Sequence, residues 1–203
     1  HEGVVRVFSF EVDTPSRSAF FTMELMHGVT LDRLLLAWPG GMPWQQLQPM
    51  ALQLLDALVY THQQNVLHGD IKPANVMVSD AAVRLFDFGL GHAQAQVAAG
   101  LPSLRRHRFT AWTRAYAAPE LLAGDALTAA ADLYGVACIL YELAQGTRLG
   151  ERRPTQRLTR PRQLPRHCWP ALRKALAIDP EHRTLTVAEL REAMGYTRRP
   201  WYL

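Results

Sequence analysis

The chain has 203 residues, is 48% hydrophobic and 20% charged, and has a formal net charge of +4. That composition excludes wholesale disorder, and two cysteines, Cys138 and Cys168, with no Cys/His cluster at metal spacing, exclude a disulfide framework and a structural zinc site. No apolar run reaches the roughly 18 residues of a membrane span and no signal peptide is visible, so a reduced, cytoplasmic setting is expected, with a membrane tether left open outside these residues.

The first 27 residues read as strands. Val4, Val5, Val7, Phe8 and Phe10 form one β-rich run, Ala19 to Met26 another, and the turn-like T-P-S-R-S between them predicts a hairpin. From Trp44 to Gln63, Leu47, Met50, Ala51, Leu54, Leu55, Leu58 and Val59 recur at the spacing of an amphipathic helix. Residues 66–89 read as short strands and loops, with apolar runs V-M-V and V-R-L-F. A helical stretch begins at Ala117, and Leu133 to Ala144 is apolar nearly all round, as a fully buried helix would be. Residues 145–170 read as Pro- and Arg-rich loops, and 170–194 as two helices joined at Asp179-Pro180-Glu181.

The segment that carries chemistry is His68-Gly69-Asp70-Ile71-Lys72-Pro73-Ala74-Asn75, followed by Phe86-Asp87-Phe88-Gly89. It offers two carboxylates, a lysine and an amide on two short loops bounded by strands. Phosphoryl transfer needs such a set: a group to orient a hydroxyl, a cation for developing charge, and oxygen ligands for Mg²⁺. Only Lys72 and Lys174 are lysines among the 22 basic residues, so a lysine at 72 stands out. A compact point charge suits a phosphate.

On these residues the chain resembles the protein-kinase superfamily, and closely resembles the eukaryotic-like Ser/Thr kinases of bacteria. H-G-D-I-K-P-A-N resembles the kinase catalytic loop and F-D-F-G its magnesium motif. Tyr116-Ala117-Ala118-Pro119-Glu120, Asp132, Arg183 and the hinge-like Met23-Glu24-Leu25-Met26 match in order. The resemblance implies an α+β, protein-kinase-like fold: a mostly helical large lobe over 28–195, the last strands of the small lobe and the hinge over 1–27, and a tail over 196–203. It implies ATP and Mg²⁺ as cofactors and a protein with a Ser/Thr acceptor as substrate. Asp70 would orient the acceptor hydroxyl, Lys72 would stabilise the transferring phosphoryl group, and Asn75 and Asp87 would hold Mg²⁺. The backbones of Glu24 and Met26 would meet adenine, with Met23 as gatekeeper, Met77 beneath the ring, and Thr30 and Asp32 near the ribose. His68, Phe88 and Val7 would stack in a spine anchored by Asp132, and Glu120 would pair with Arg183. Thr113 would mark the Ser/Thr class.

Two departures matter. Gly69 stands where many kinases carry an arginine that receives an activation-loop phosphate, so phosphorylation at Ser103, Thr110 or Thr113 is not expected to be required for activity. No glycine-rich phosphate loop occurs and no lysine precedes Lys72. The chain, which starts at His1, is therefore expected to come from inside a longer protein, and alone to turn over little. Three alternatives stay open: a pseudokinase-like scaffold, a small-molecule phosphotransferase of the aminoglycoside- or choline-kinase kind, and nucleic-acid binding by the basic residues 144–203. The last is disfavoured because few aromatics interleave the arginines. A solvated arginine-rich surface is the simpler account of that charge, and no nucleic-acid partner is expected.

Overall fold

A computed structural model describes residues 1–13, 18–79, 82–88, 114–149 and 157–196, and the predicted hairpin opens it. Strands β1 (Val7–Asp13) and β2 (Ser18–Met23) pair antiparallel, with Phe10 opposite Phe21. The predicted first run began earlier, at Val4, but residues 3–5 join a different sheet. There the Val5 amide donates to the Leu85 carbonyl at 3.0 Å, and the Leu85 amide donates to the Gly3 carbonyl at 2.8 Å. The predicted second run continued to Met26, but the strand ends at Met23 and residues 24–27 form an irregular connection.

That connection leads into β3 (Val29–Thr30), α1 (Leu31–Leu35) and the long α2 (Trp44–Gln63). The third covers the residues its periodicity predicts, with Leu47, Ala51, Leu54, Leu55 and Leu58 buried along one stripe. Each buried leucine contributes about 1.5–3 kcal/mol. The hairpin has no comparable burial, since Val7, Phe8 and Phe10 are exposed. Stability therefore resides in the helical body. Strands β4 (Val76–Val78) and β5 (Val83–Leu85) join β3 in an antiparallel sheet of order β3–β4–β5, with Thr30 opposite Met77 and Met77 opposite Arg84.

Four more helices complete the described fold: α3 (Pro119–Ala123), α4 (Ala129–Gln145), α5 (Trp169–Ala175) and α6 (Val187–Gly195). Every residue of α4 from Ala131 to Ala144 is buried, as its unbroken apolar character predicts. Thr128 caps its start by accepting from the Ala131 amide, and left-handed Gly146 ends it. Helices α2 and α5 pack against α4, and α6 packs against α2 and α5 through Leu190 and Met194. The predicted joint between the last two helices is the short 3-10 turn Pro180–His182, capped by Asp179. The segment 68–75, between α2 and β4, lies against the first turns of α4, where Asp132 meets His68 and Gly69 and Gly135 faces Ile71.

Candidate active site

The loop 68–75 is built on Asp132, in the first turn of α4. Asp132 is 2% exposed, and its carboxylate accepts three hydrogen-bonding contacts. The amides of His68 and Gly69 donate to it at 2.8 and 2.9 Å, and His62 Nε2 at the end of α2 lies 2.9 Å away. A buried carboxylate with three partners fixes the loop's height against the core. Gly69 makes the bend possible. Its φ is +77°, and a Cβ there would lie 2.8 Å from Leu127 Cδ2, so any larger residue meets both backbone strain and a neighbour.

His68 is fully buried. Its Nδ1 accepts from the Asp70 amide at 3.2 Å, so Nε2 carries the proton toward the Phe86 carbonyl at 3.1 Å. Burial lowers its pKa, opposed by the nearby charge of Asp132, which suits a neutral ring. The ring packs on Phe88 with centroids 4.6 Å apart, joining the two loops. Val7, expected in the same stack, lies exposed in β1 opposite Met23.

The polar groups then converge. Lys72 Nζ lies 2.5 Å from Asp70 Oδ2. Asn75 is buried and donates Nδ2 to the Asp70 carbonyl at 2.9 Å and to Asp70 Oδ2 at 3.2 Å. Those donations leave the amide oxygen of Asn75 as its free end, a hard donor of the kind Mg²⁺ accepts. The Phe86 amide donates to the Asn75 carbonyl at 3.1 Å, which ties the second loop to the first. Asp87 follows, exposed and at φ +61°, a conformation that non-glycine residues adopt sparingly.

The other expected residues are spread around this centre. The Glu24 amide is bonded to the Arg6 carbonyl at 2.9 Å. Met23 is exposed, Met26 is half-buried, and Met77 is half-buried in β4 beside Thr30. Asp32 Oδ1 is buried with no hydrogen-bond partner among the described residues. Glu120 and Arg183 meet in a buried bidentate pair at 2.5 Å for both contacts. Thr113, Gly89, Ser103 and Thr110 lie outside the described residues.

Two contacts were not legible in the sequence, that of His62 with Asp132 and that of Tyr116 with Glu142. His62 lies within the predicted helix Trp44–Gln63, six residues ahead of His68, and carries no motif of its own. Tyr116 donates a short hydrogen bond to Glu142 of α4, with Arg148 Nε 3.5 Å from the same carboxylate. Burial raises the pKa of both Tyr116 and Glu142.

A model described as "Protein kinase domain" matches residues 1–191. The chain belongs to the protein kinase family. Serine/threonine-protein kinase PknB of Mycobacterium leprae is 32% identical over 94% of this kinase chain and 32% of the relative's length. Probable serine/threonine-protein kinase PknB of Bifidobacterium longum is 32% identical over 68% of the chain and 20% of that protein. The crystal structure of the Mycobacterium tuberculosis PknI kinase domain matches with a TM-score of 0.73 and 26% identity, over 96% of the chain and 71% of that domain. The kinase chain thus spans about a third of the length of the M. leprae relative and a fifth of the B. longum one, and the expected fold class holds. Among the described residues no helix is long and apolar enough to cross a membrane.

Proposed function

We propose that this kinase domain transfers the γ-phosphoryl group of ATP, with Mg²⁺, to Ser or Thr hydroxyls of protein substrates. The observation that carries this reading is the convergence of Lys72 Nζ and Asn75 Nδ2 on one oxygen of Asp70. Asp87 is held on the adjoining loop. Asp70 takes the acceptor's hydroxyl proton as its oxygen attacks the γ-phosphorus. The bond from that phosphorus to the β–γ bridging oxygen breaks, and ADP leaves with the bond's electrons. Lys72 faces the charge that spreads over the phosphoryl oxygens. The donor set fits Mg²⁺: the Asn75 amide oxygen and the Asp87 carboxylate would hold it, and it would neutralise the phosphate charge during transfer.

The Glu24 carbonyl, Met26 and Met77 would receive adenine, with Met23 at the back, Thr30 and Asp32 toward the ribose, and Thr113 toward the acceptor. Residues 1–27 would then be the end of the small lobe, 28–195 the large lobe and 196–203 a tail. The exposed apolar residues of the hairpin favour further small-lobe structure packed over it, which would supply the missing phosphate loop and lysine. That reading predicts little turnover from residues 1–203 alone. Relatives named as serine/threonine kinases favour this function over a scaffold or a small-molecule phosphotransferase.

The test is phosphate transfer from ATP to a generic Ser/Thr protein by the full protein that carries this chain. Asp70→Asn and Asp87→Asn should each lower the rate at least ~100-fold, the scale of a lost general base, with an unchanged circular dichroism spectrum. Undiminished transfer by either variant rejects the mechanism.

A further inference from the structure

The side chain of Glu24 ties together three separate pieces of chain. Its Oε1 accepts from the Arg6 amide at 2.8 Å, while its own amide donates to the Arg6 carbonyl at 2.9 Å. Its Oε2 lies 2.9 Å from Arg84 Nη1 on β5. Arg84 sits directly opposite Met77, and Met77 directly opposite Thr30, so the three side chains share one face of the sheet. Glu24 and Arg84 are each about one-third exposed, 30% and 35% respectively. A lone surface pair of that exposure stabilises little. Here, however, the same carboxylate also holds a backbone amide, so the ion pair closes a loop through the hinge, the segment before β1 and the strand leading to Asp87.

We infer that Arg84 and the Glu24 carboxylate are positioning residues for the nucleotide: their contact fixes the hinge connection at a set distance from the strand pair that carries Met77. This rests on the ATP reading above. The hinge carbonyl and the Met77 side chain would bracket one flat ring, so they must keep a constant separation for the ring to bind. Beyond the Glu24–Arg6 contacts, residues 25–27 lie outside any described strand, and 25 and 27 are exposed. The carboxylate–guanidinium contact does for this connection what a further strand pairing would do elsewhere. Preorganisation of this kind shows mainly in affinity, since an unbraced hinge must be ordered when the ligand arrives.

The experiment uses the full protein that carries this chain, with Arg84→Met, Arg84→Lys and Glu24→Gln. Arg84→Met should raise the Kd for ADP about threefold to tenfold, the scale of one lost charge-assisted hydrogen bond, and raise KM for ATP by more than it lowers kcat. Arg84→Lys keeps the charge and should recover most of that affinity. Independently of nucleotide, Glu24→Gln should speed amide hydrogen exchange at Arg6 and Glu24 about tenfold, while exchange in α4 stays unchanged. Unchanged exchange at those amides, or equal ADP affinity in wild type and Arg84→Met, overturns the inference. A kcat loss larger than the KM change would overturn it as well, because it would place Arg84 in the chemical step. If the wild-type protein binds no adenine nucleotide, the ATP reading fails, and exchange alone then decides whether the brace exists.

Discussion

Replacing Arg183 with methionine should be among the costliest single changes in the chain. All five guanidinium N–H donors are engaged. Nε donates to the Ala177 carbonyl at 2.8 Å, and Nη1 and Nη2 each reach one Glu120 oxygen at 2.5 Å. The remaining two go to the carbonyls of Ala130 at 2.9 Å and Ile178 at 3.1 Å. The group also lies 5.0 Å over the Tyr134 ring. Methionine fills similar volume but leaves a buried carboxylate unpaired, which costs about 3–5 kcal/mol. The orphaned carbonyls add to that, so Arg183→Met is expected to destabilise by about 5 kcal/mol. The double variant Glu120→Leu/Arg183→Met removes the stranded charge but still strands the carbonyls of Ala177 and Ile178, and should cost only about 2–4 kcal/mol. Urea unfolding at constant m-value measures both. A loss below about 1 kcal/mol in Arg183→Met, or a double variant less stable than the single one, would refute this accounting.

Other consequences can be measured as directly. Gly69→Ala should destabilise by about 1–2 kcal/mol, because φ of +77° strains an L-residue and the new methyl meets Leu127; thermal unfolding of this variant beside Gly40→Ala, where a Cβ meets nothing, checks it. Glu142 has a pKa raised above its ordinary value, chiefly by burial, so its contribution to stability is fully present below the unfolded pKa and lost as pH rises through the folded one. The stability of wild type relative to Glu142→Gln should therefore decline from about pH 4 upward; a difference that does not vary with pH contradicts this. Treatment with phosphatase should leave activity intact, since Gly69 supplies no cation to receive a phosphate, and a collapse of activity would show that another residue does.

Much of the helical body was legible in the sequence because its signals are local and repetitive. Leu47, Ala51, Leu54 and Leu58 mark one stripe over many residues, and the run through α4 has no polar interruption long enough to mislead. Strand β3 and helix α1 were missed, since two and five residues are too short for any periodicity to register. The same limit governs the site. Asp70, Lys72, Asn75 and Asp87 could be singled out because they cluster within 18 positions and are the residue types that the proposed chemistry needs. His62 and Arg84 could not, because each acquires its role from a partner 60 or more positions away. The V-R-L-F run predicted a strand, yet nothing in it says that its arginine reaches Glu24. The early Val4 start was misplaced for a related reason: residues 3–5 have strand composition, but their partner is Leu85 rather than β2.

Leu85 has a further consequence. Its amide and carbonyl are both taken by residues 3 and 5, and two positions later the same chain becomes Asp87. The amino-terminal segment and the carboxylate proposed for metal binding are thus geared to one another through a single residue. A displacement of Gly3 or Val5 along the strand direction would be carried through the buried Leu85 to that carboxylate. Such a linkage makes the first few residues a handle on the proposed reaction centre, and substitutions there should be felt in metal affinity before they are felt in the melting temperature.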